Sequence, residues 1–309
     1  MVHPVFIGCD VSKAHLDLFD AQTQKHIRID NTPVSIAGWL ATLEGRDVTV
    51  VLEATGRYDR LLCVALEEAQ RPYCRVNPAR ARDFAKALGL LAKTDAIDAR
   101  LLAHMGQTLS PPVNVPPDPL HRHLADLHGR RDQLVAMRQQ ERVRIHNADQ
   151  SQHASIESHI AWLDDEIARI EKACHEHVRA DQDMSERNKR LRSIPGIGPV
   201  TAFTLLAHMP ELGGRSPKAM AALAGLAPFN ADSGTLRGQR HIRGGRKRVR
   251  DALYMAALVA YRMKSPFART AQTMMAKGKP LKVIFIAIAR KILVTANALL
   301  RDKTMFQTT

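Results

Sequence analysis

Residues 6–13 read FIGCDVSK and residues 50–56 read VVLEATG, so an acidic residue follows each of two strongly apolar runs. Short apolar runs of this kind predict buried β-strands. Asp10 therefore comes directly after a first strand, and Glu53 comes directly after a later one. Because α/β folds usually bind ligands at the carboxyl edge of their sheet, we expect both carboxylates at such an edge.

Two more carboxylates, Asp95 and Asp98 in the run KTDAIDAR, are three residues apart and share one face at the start of a predicted helix. Four acids from three separate segments could then converge on one point. Their mutual repulsion is costly unless a cation offsets it, and hard oxygen ligands suit Mg²⁺ or Mn²⁺. The structural alternatives are that Asp10 caps a turn, Glu53 is a solvated strand end and Asp95 is a helix N-cap.

The first 110 residues alternate β-rich and helical runs, which is typical of an α/β domain. The runs predict three strands, a helix, a strand, a helix, a strand and a helix, in that order. This order, with acids at the strand ends and on a late helix, matches a ribonuclease H-like domain. The sequence therefore predicts that residues 1–110 form such a domain.

Charge separates the rest of the chain from this domain. The 309 residues carry a formal charge of +14, but residues 1–110 are neutral, residues 111–187 carry −4 and residues 188–309 carry +18. An excess this concentrated points to a polyanionic partner, so the last segment is expected to bind nucleic acid. The four cysteines form no CxxC pair, and the N-terminus has no secretory pattern. We therefore expect a cytoplasmic protein without disulfides that has no membrane partner.

The middle segment, residues 111–187, starts with five prolines in the run PPVNVPPDP. Neither a helix nor a sheet can continue through that run, which predicts a linker or a rigid corner. Apolar residues then recur at helical spacing over two long stretches separated by HNADQSQH. This pattern predicts a helical hairpin that acts as a coiled-coil spacer or dimerisation arm, with a plain helical bundle as the alternative.

Residues 188–309 are predicted to be all-helical and contain the run DSGTLRGQRHIRGGRKRVR at residues 232–250. Glycines let a backbone approach a phosphate closely, and arginines grip its oxygens bidentately. A serine just upstream, Ser233, is then a candidate nucleophile, with Thr235 as the nearest competing hydroxyl and Asp232 as an orienting group. The alternative is a basic loop that binds phosphate without a covalent step. The candidate phosphate ligands are Arg237, Arg240, Arg243, Arg246, Lys247, Arg248 and Arg250.

Upstream of this run, residues 191–198 read LRSIPGIG between two helical stretches. Such a turn can present backbone N–H groups at Gly196 and Gly198 to a phosphate, without reading the base sequence. A tight helix–helix turn would use the same glycines. Residues 281–300 are apolar but interrupted by three basic residues, which predicts a buried terminal helix and not a membrane span.

Four phrases resemble the RuvC-like domain of the DEDD transposases of the insertion-sequence one-ten family. They are GCDVSKAHLDL, LEATGRYDRLL, CRVNPARARDFAKALG and LAKTDAIDARLLA. The phrase SGTLRGQRHIRGGRKRVRDALYMAAL resembles the C-terminal transposase domain of the same family, and the IPGIG turn resembles its helix-hairpin-helix element. Members of this family are also known as bridge-RNA-guided serine recombinases. The resemblance extends over nearly the whole chain, and only the middle segment lacks a specific motif.

This resemblance implies that the D, E, D, D tetrad Asp10, Glu53, Asp95 and Asp98 binds Mg²⁺ and that Ser233 is the nucleophile. It further implies that tetrad and serine act in one composite site, that the protein works as a dimer or tetramer, and that a structured RNA selects the target and donor DNA. The expected activity is cleavage and rejoining of DNA through a phosphoserine link. Two alternatives remain at this point: a metal nuclease like the Holliday-junction resolvases, in which Ser233 is structural, or an inactive RNA- or DNA-binding relic.

Overall fold

The computed structural model describes residues 5–54, 56, 58–89, 95–116, 118–229 and 240–307, with the side chains of residues 95–97 left out. The chain divides into two compact units, residues 1–116 and 117–309. The domain boundaries predicted from the sequence at residues 110 and 187 stay predictions. Residues 111–116 lie in the first unit, where the Asn114 backbone N–H donates to the Tyr73 carbonyl.

The first unit is a five-stranded mixed sheet with helices, in the predicted order of elements. Strands pair in the order β3-β2-β1-β4-β5, with the first two pairs antiparallel and the last two parallel. This topology is consistent with the expected ribonuclease H-like domain. Its elements are β1 (Val5–Val11), β2 (His15–Asp20), β3 (Lys25–Asp30), α1 (Pro33–Ala41), β4 (Val48–Glu53), α2 (Arg60–Glu68), β5 (Tyr73–Val76), α3 (Pro78–Ala87) and α4 (Asp95–Leu109).

Each face of this sheet buries its own set of apolar side chains, as expected for strands covered on both sides. One cluster contains Ile7, Cys9 and Leu52 with residues of α1 and α2. The other contains Phe6 and Val51 with residues of α3 and α4. Alternate residues of β1 and β4 therefore point to opposite helical layers.

The described part of the second unit is mostly helical, with one very short pair of strands. Its elements are α5 (Pro119–Arg144), a 3₁₀ turn (Gln150–Gln152), α6 (His153–Ala180), α7 (Gln182–Arg192), α8 (Pro199–His208), α9 (Pro217–Leu223), β6 (Pro228–Phe229), β7 (His241–Ile242), α10 (Lys247–Arg262), α11 (Pro266–Ala276) and α12 (Leu281–Asp302). Helices α5 and α6 pack antiparallel, since Arg131 pairs with Glu171 and Arg138 pairs with Asp164. The role of this helical pair as a dimerisation arm stays a prediction.

Two details of the second unit bear on the sequence predictions. The expectation of an all-helical segment from residue 188 was wrong at β6 and β7, because strands of two residues are too short to show the alternation by which strands are recognised. Helix α12 is long and apolar enough to cross a membrane by composition, and half of its most apolar window is buried inside the protein. Its fully buried side chains, such as Ile284, Ile288 and Ile292, belong to the main core cluster of the unit.

Candidate functional site

The sheet places Asp10 and Glu53 side by side. In the parallel pair of β1 and β4, Cys9 lies opposite Leu52, so Asp10 and Glu53 occupy the next position in register. Neighbouring strands are about 4.8 Å apart. Asp10 points to the same face as Gly8, and Glu53 points to the same face as Val51, because side chains two residues apart share a face. The two carboxylates therefore flank each other at the carboxyl edge of the sheet, as the sequence predicted.

Helix α4 lies against this same face through two glycines. A Cβ atom added to Gly8 would overlap the Ala99 carbonyl oxygen, and one added to Gly106 would lie 2.6 Å from the Phe6 ring. The helix thus runs antiparallel to β1, and its residue numbers fall as those of the strand rise. Two strand residues span about 7 Å, which corresponds to four or five helical residues. Position 10 is therefore level with the first turn of α4, where Asp98 lies.

The donor chemistry of this edge suits a hard divalent cation, because all the candidate ligands are carboxylate oxygens. Asp10, Glu53 and Asp98 each have an interaction partner in the protein. Among the described side chains, no three His, Cys, Asp or Glu residues form a metal-binding group. The side chain of Asp95, the fourth predicted ligand, lies outside the described residues. The arrangement fits the predicted tetrad in its backbone positions, and the ligand set stays a proposal.

Asp17 is a carboxylate at this end of the sheet that the sequence analysis did not single out. It lies opposite Asp10 in the antiparallel pair of β1 and β2 and is 3% exposed. Arg28 donates to it from Nε at 3.0 Å and from Nη2 at 2.9 Å, and His26 lies 3.1 Å away. Burying a carboxyl group without such partners is costly. The cross-strand pairing of acids follows from strand register, which the sequence alone does not specify.

In the second unit, the two ends of the segment that carries Ser233 lie side by side and pair with each other. We call residues 226–244 the serine loop; Ser233, Thr235, Asp232 and Arg237 lie outside the described residues. At the base, Pro228 pairs with Ile242 and Phe229 pairs with His241 in the antiparallel strands β6 and β7. The loop therefore leaves and rejoins the helical core at one place.

Just below these strands, the backbones of Gly225 and Gly245 cross in direct contact. A Cβ atom at either glycine would overlap backbone atoms of the opposite segment, and both glycines have positive φ, +67° and +68°. The Arg246 N–H donates to the Leu223 carbonyl at 2.8 Å, and Arg250 donates to the Gly244 carbonyl at 2.5 Å. We call this contact the glycine crossing. It fixes both ends of the serine loop to α9 and α10.

Replacing Gly245 with alanine is expected to lower the free energy of unfolding by about 1–3 kcal/mol, because the new Cβ meets the Gly225 backbone in addition to the strain of a positive φ. Gly244→Ala is the matched control, since Gly244 has φ +66° but no atom within 4 Å of the added Cβ. Urea denaturation of both variants measures the difference. Equal losses in the two variants would mean that the crossing itself contributes nothing.

Two of the predicted phosphate ligands, Arg246 and Arg248, pair with acids outside α10 in the second unit. The Arg246 guanidinium donates to both oxygens of Glu211, at 2.7 and 2.6 Å, and to the His208 carbonyl. Arg248 donates to the His128 carbonyl and forms an ion pair with Asp132 at 2.6 Å. These arginines anchor the start of α10 to α8 and α5 in this structure.

Three other described candidates, Arg240, Arg243 and Lys247, are exposed on the outside of the unit. Arg240 is exposed, and the Arg243 guanidinium lies 4.9 Å from the centre of the Phe229 ring, a cation–π contact. Lys247 is exposed and pairs with Asp251, one helical turn later, which contributes little in water. Arg240 and Arg243 are therefore the described members of the basic run that are best placed to meet a phosphate.

A buried polar network lies under Arg248. Its Nη2 lies 2.6 Å from His128 Nδ1, and His128 Nε2 lies 3.3 Å from the Thr204 hydroxyl, which donates to the Val200 carbonyl. A guanidinium can only donate, so Nδ1 accepts and the proton of the neutral imidazole lies on Nε2. Burial, followed by the Arg248 charge, lowers the pKa of His128 to about 4, and the same two causes lower the pKa of the neighbouring His208 to about 4.

These two histidines predict a loss of stability in mild acid. An unfolded histidine has a pKa of about 6.5, so between pH 6.5 and 4 the unfolded chain binds protons that the folded chain does not. The free energy of unfolding is therefore expected to fall as the pH is lowered through this window, by at most about 1.4 kcal/mol per pH unit for each histidine. Urea titrations from pH 7.5 to 4.5 measure the slope. His208→Gln should flatten it, and an unchanged slope would exclude His208 as a contributor.

The IPGIG turn connects α7 to α8 and packs against α10. Ile194 and Ile197 are buried, and Gly196, with φ +93°, lies directly against the Ala256 carbonyl of α10. Close packing therefore accounts for Gly196. Gly198 precedes α8 with open space around it, so the N-terminal N–H groups of α8 are the part of this turn that could meet a phosphate. The helix-hairpin-helix role stays a proposal.

Both units contain sequence that matches known protein families. Residues 7–150 match the family model of the IS110 DEDD transposases, described as a transposase, and residues 188–272 match the model described as the transposase IS116/IS110/IS902 family. Two proteins named pilin gene-inverting protein, from Moraxella bovis and Moraxella lacunata, are each 29% identical over 315 residues, which cover 97% of this chain and 97% of theirs. The chain belongs to the IS110 family of DEDD transposases, which recombine DNA.

Proposed function

We propose that the protein breaks and rejoins DNA through Ser233, with the carboxylates Asp10, Glu53, Asp95 and Asp98 as ligands of Mg²⁺ or Mn²⁺. The observation that carries this proposal is the placement of Asp10 and Glu53 in adjacent register positions, with α4 packed onto the same face of the sheet through Gly8. An all-carboxylate edge of this kind is suited to a metal that acts on phosphodiesters, since Mg²⁺ stabilises charge on the attacking and leaving oxygens.

In the proposed reaction, the Ser233 Oγ attacks a DNA phosphorus. A serine–phosphate bond forms as the hydroxyl loses its proton, the bond from phosphorus to the 3′-oxygen breaks, and the released 3′-oxygen takes up a proton. The reverse reaction on an exchanged strand rejoins the DNA. Because the phosphoserine ester keeps the energy of the broken bond, no ATP is consumed. Arg240 and Arg243 at the foot of the serine loop support this step by attracting the phosphate.

The outcome of recombination depends on which ends are joined. The relatives from Moraxella are named for inversion of a pilin gene, and their similarity extends over 97% of this chain. Movement of an element and inversion of a segment both require the same breaking and rejoining of strands. We therefore propose that the chain either moves its own element or inverts a DNA segment. Selection of the sites by a structured RNA, and action as a dimer or tetramer, follow from the family resemblance and are part of the proposal.

The test is capture of the covalent intermediate. The protein is incubated with Mg²⁺, a DNA duplex from an element end and the adjoining noncoding RNA, then denatured, and DNA attached to protein is measured by gel electrophoresis and peptide mass spectrometry. An adduct on the peptide that contains Ser233 is the expected result. DNA cleavage that never yields an adduct would favour a metal nuclease of the Holliday-junction-resolvase type. No cleavage under any of these conditions would favour a binding relic.

A further inference from the structure

We propose that a cleft between the β6–β7 strands and α12 binds one unpaired nucleotide of a nucleic-acid strand, with its base in the apolar centre and its phosphate on the basic rim. The inference rests on the proposed function for the source of that strand. The cleft has a volume of about 400 Å³ and lies beside the foot of the serine loop. Strands β6 and β7 form one side and α12 forms the other, and the lining residues include Arg240, Lys282, Val283, Ile286, Ala287 and Arg290.

The floor of the cleft is one stripe of α12 that the core leaves uncovered. Ile284 and Ile288 face the core and are fully buried, whereas Val283 is 49% exposed. Residues at spacings of three and four share a face of a helix, so Val283, Ile286 and Ala287 form a continuous apolar strip. A helix of a soluble protein usually exposes polar residues at such positions. An apolar strip here therefore marks a surface that receives a ligand.

The rim of the cleft indicates which ligand fits. Lys282 and Arg290 are eight residues apart on α12, which places them about 12 Å apart on either side of the apolar strip. Arg240 approaches from the strand side, and among the described residues that line the cleft none is acidic. A nucleotide combines a flat apolar base with an anionic phosphate and matches both parts. An apolar peptide would leave the three cations without partners.

The position of the cleft links it to the serine loop. Pro228, His241 and Ile242 belong to the strands that close this loop, and the glycine crossing holds the same strands to α9 and α10. On these strands, Phe229 is 42% exposed and carries the Arg243 guanidinium over its ring, a pair of groups that stack well on bases. A strand bound along this surface would pass the foot of the loop with one base in the cleft. Proteins that act on a strand commonly hold a base out of its stack in this way.

The first test uses the full chain and a single-stranded thymidine oligonucleotide that contains one 2-aminopurine, whose fluorescence reports its stacking. Wild type is expected to bind it with a change in fluorescence. Ala287→Trp fills the cleft and is expected to weaken binding at least about tenfold and to abolish the fluorescence change. Ala276→Trp, at an exposed position at the end of α11, is the matched control and should bind like wild type. Equal binding and equal fluorescence in all three proteins would overturn the proposal.

A second pair of variants keeps the proposal testable even if Ala287→Trp does not fold. Lys282→Gln with Arg290→Gln removes two rim cations, and Lys277→Gln with Lys279→Gln removes two exposed cations that do not line the cleft. Loss of two phosphate contacts should reduce the slope of log affinity against log salt by about 1.4 for a single strand. The control pair should leave the slope unchanged. Equal slopes in both double variants would contradict a phosphate site at the rim.

The outcome for the cleft is separable from the outcome for the serine mechanism. Nucleotide binding is measured without cleavage, and formation of the covalent adduct is measured on the same variants. Wild-type binding that depends on the cleft, without any adduct, supports the cleft and contradicts the serine mechanism. An adduct that forms normally in a variant whose cleft is filled, with unchanged oligonucleotide binding, contradicts the cleft and leaves the serine mechanism in place.

Discussion

The Ser233→Ala variant is expected to form no covalent adduct with DNA and to lose strand exchange by at least about 10³-fold, because it lacks the oxygen that we propose bonds to phosphorus. Nucleic-acid affinity should remain within about twofold of wild type, since the basic groups that supply phosphate contacts are unchanged. The adduct is measured after denaturation, and affinity is measured by titration of labelled DNA. Circular dichroism and urea denaturation verify that the variant folds.

Thr235→Ala is the matched control for this experiment, because it removes the nearest other hydroxyl of the same loop. It is expected to form the adduct at nearly the wild-type rate. If Ser233→Ala cleaves DNA as well as wild type, the serine is structural and the nuclease alternative gains support. If Thr235→Ala is the variant that loses the adduct, the nucleophile has been assigned to the wrong hydroxyl.

The second large effect is expected for the paired carboxylates. Asp10→Asn and Glu53→Gln each replace a carboxyl group that we propose as a metal ligand by an amide of the same shape, and we expect each to lower metal-dependent cleavage by about 10³-fold or more. Binding of DNA should stay close to wild type, because residues 188–309 carry the +18 charge. Calorimetric titration with Mg²⁺ should show weaker metal binding by both variants. Cleavage and binding are thus expected to separate.

Asp47→Asn is the control, since Asp47 is an exposed acid at the opposite end of β4 from Glu53. It removes a carboxyl group from the residue that directly precedes β4 and should cleave DNA at the wild-type rate. A large loss of DNA affinity in Asp10→Asn without a defect in cleavage would contradict the proposed division of labour between the two units. Equal loss of cleavage in all three variants would show that net charge, and not metal binding, is being measured.

The sequence was sufficient for the sheet and for the position of its acids, because buried strands have strong apolar runs and an acid that directly follows such a run lies at the strand end. It was not sufficient for contacts between distant residues. Nothing in the spacing of the basic run indicates that Arg246 meets Glu211, or that Arg248 meets Asp132. Counting basic residues therefore predicted the class of partner, a nucleic acid. It did not predict which arginines form ion pairs within the protein.

The glycines were also hard to interpret from the sequence, because their packing partners are distant in the chain. Gly196 was a candidate for phosphate contact, yet in the structure it packs against α10. Gly8 was quoted only as part of a strand, although its missing side chain is what admits α4 to the carboxylate face. A glycine shows that space is needed at its position, whereas the neighbour that fills this space is determined by tertiary packing.

The glycine crossing also allows the serine loop to vary during evolution. Because both ends of the serine loop are fixed at Gly225 and Gly245, residues can be gained or lost between them without moving α9 or α10. Loop closure becomes only slightly less favourable as a loop lengthens, by about 0.6 kcal/mol for each doubling. The serine loop can therefore change in length and sequence among related proteins while the two glycines that fix its ends stay constant.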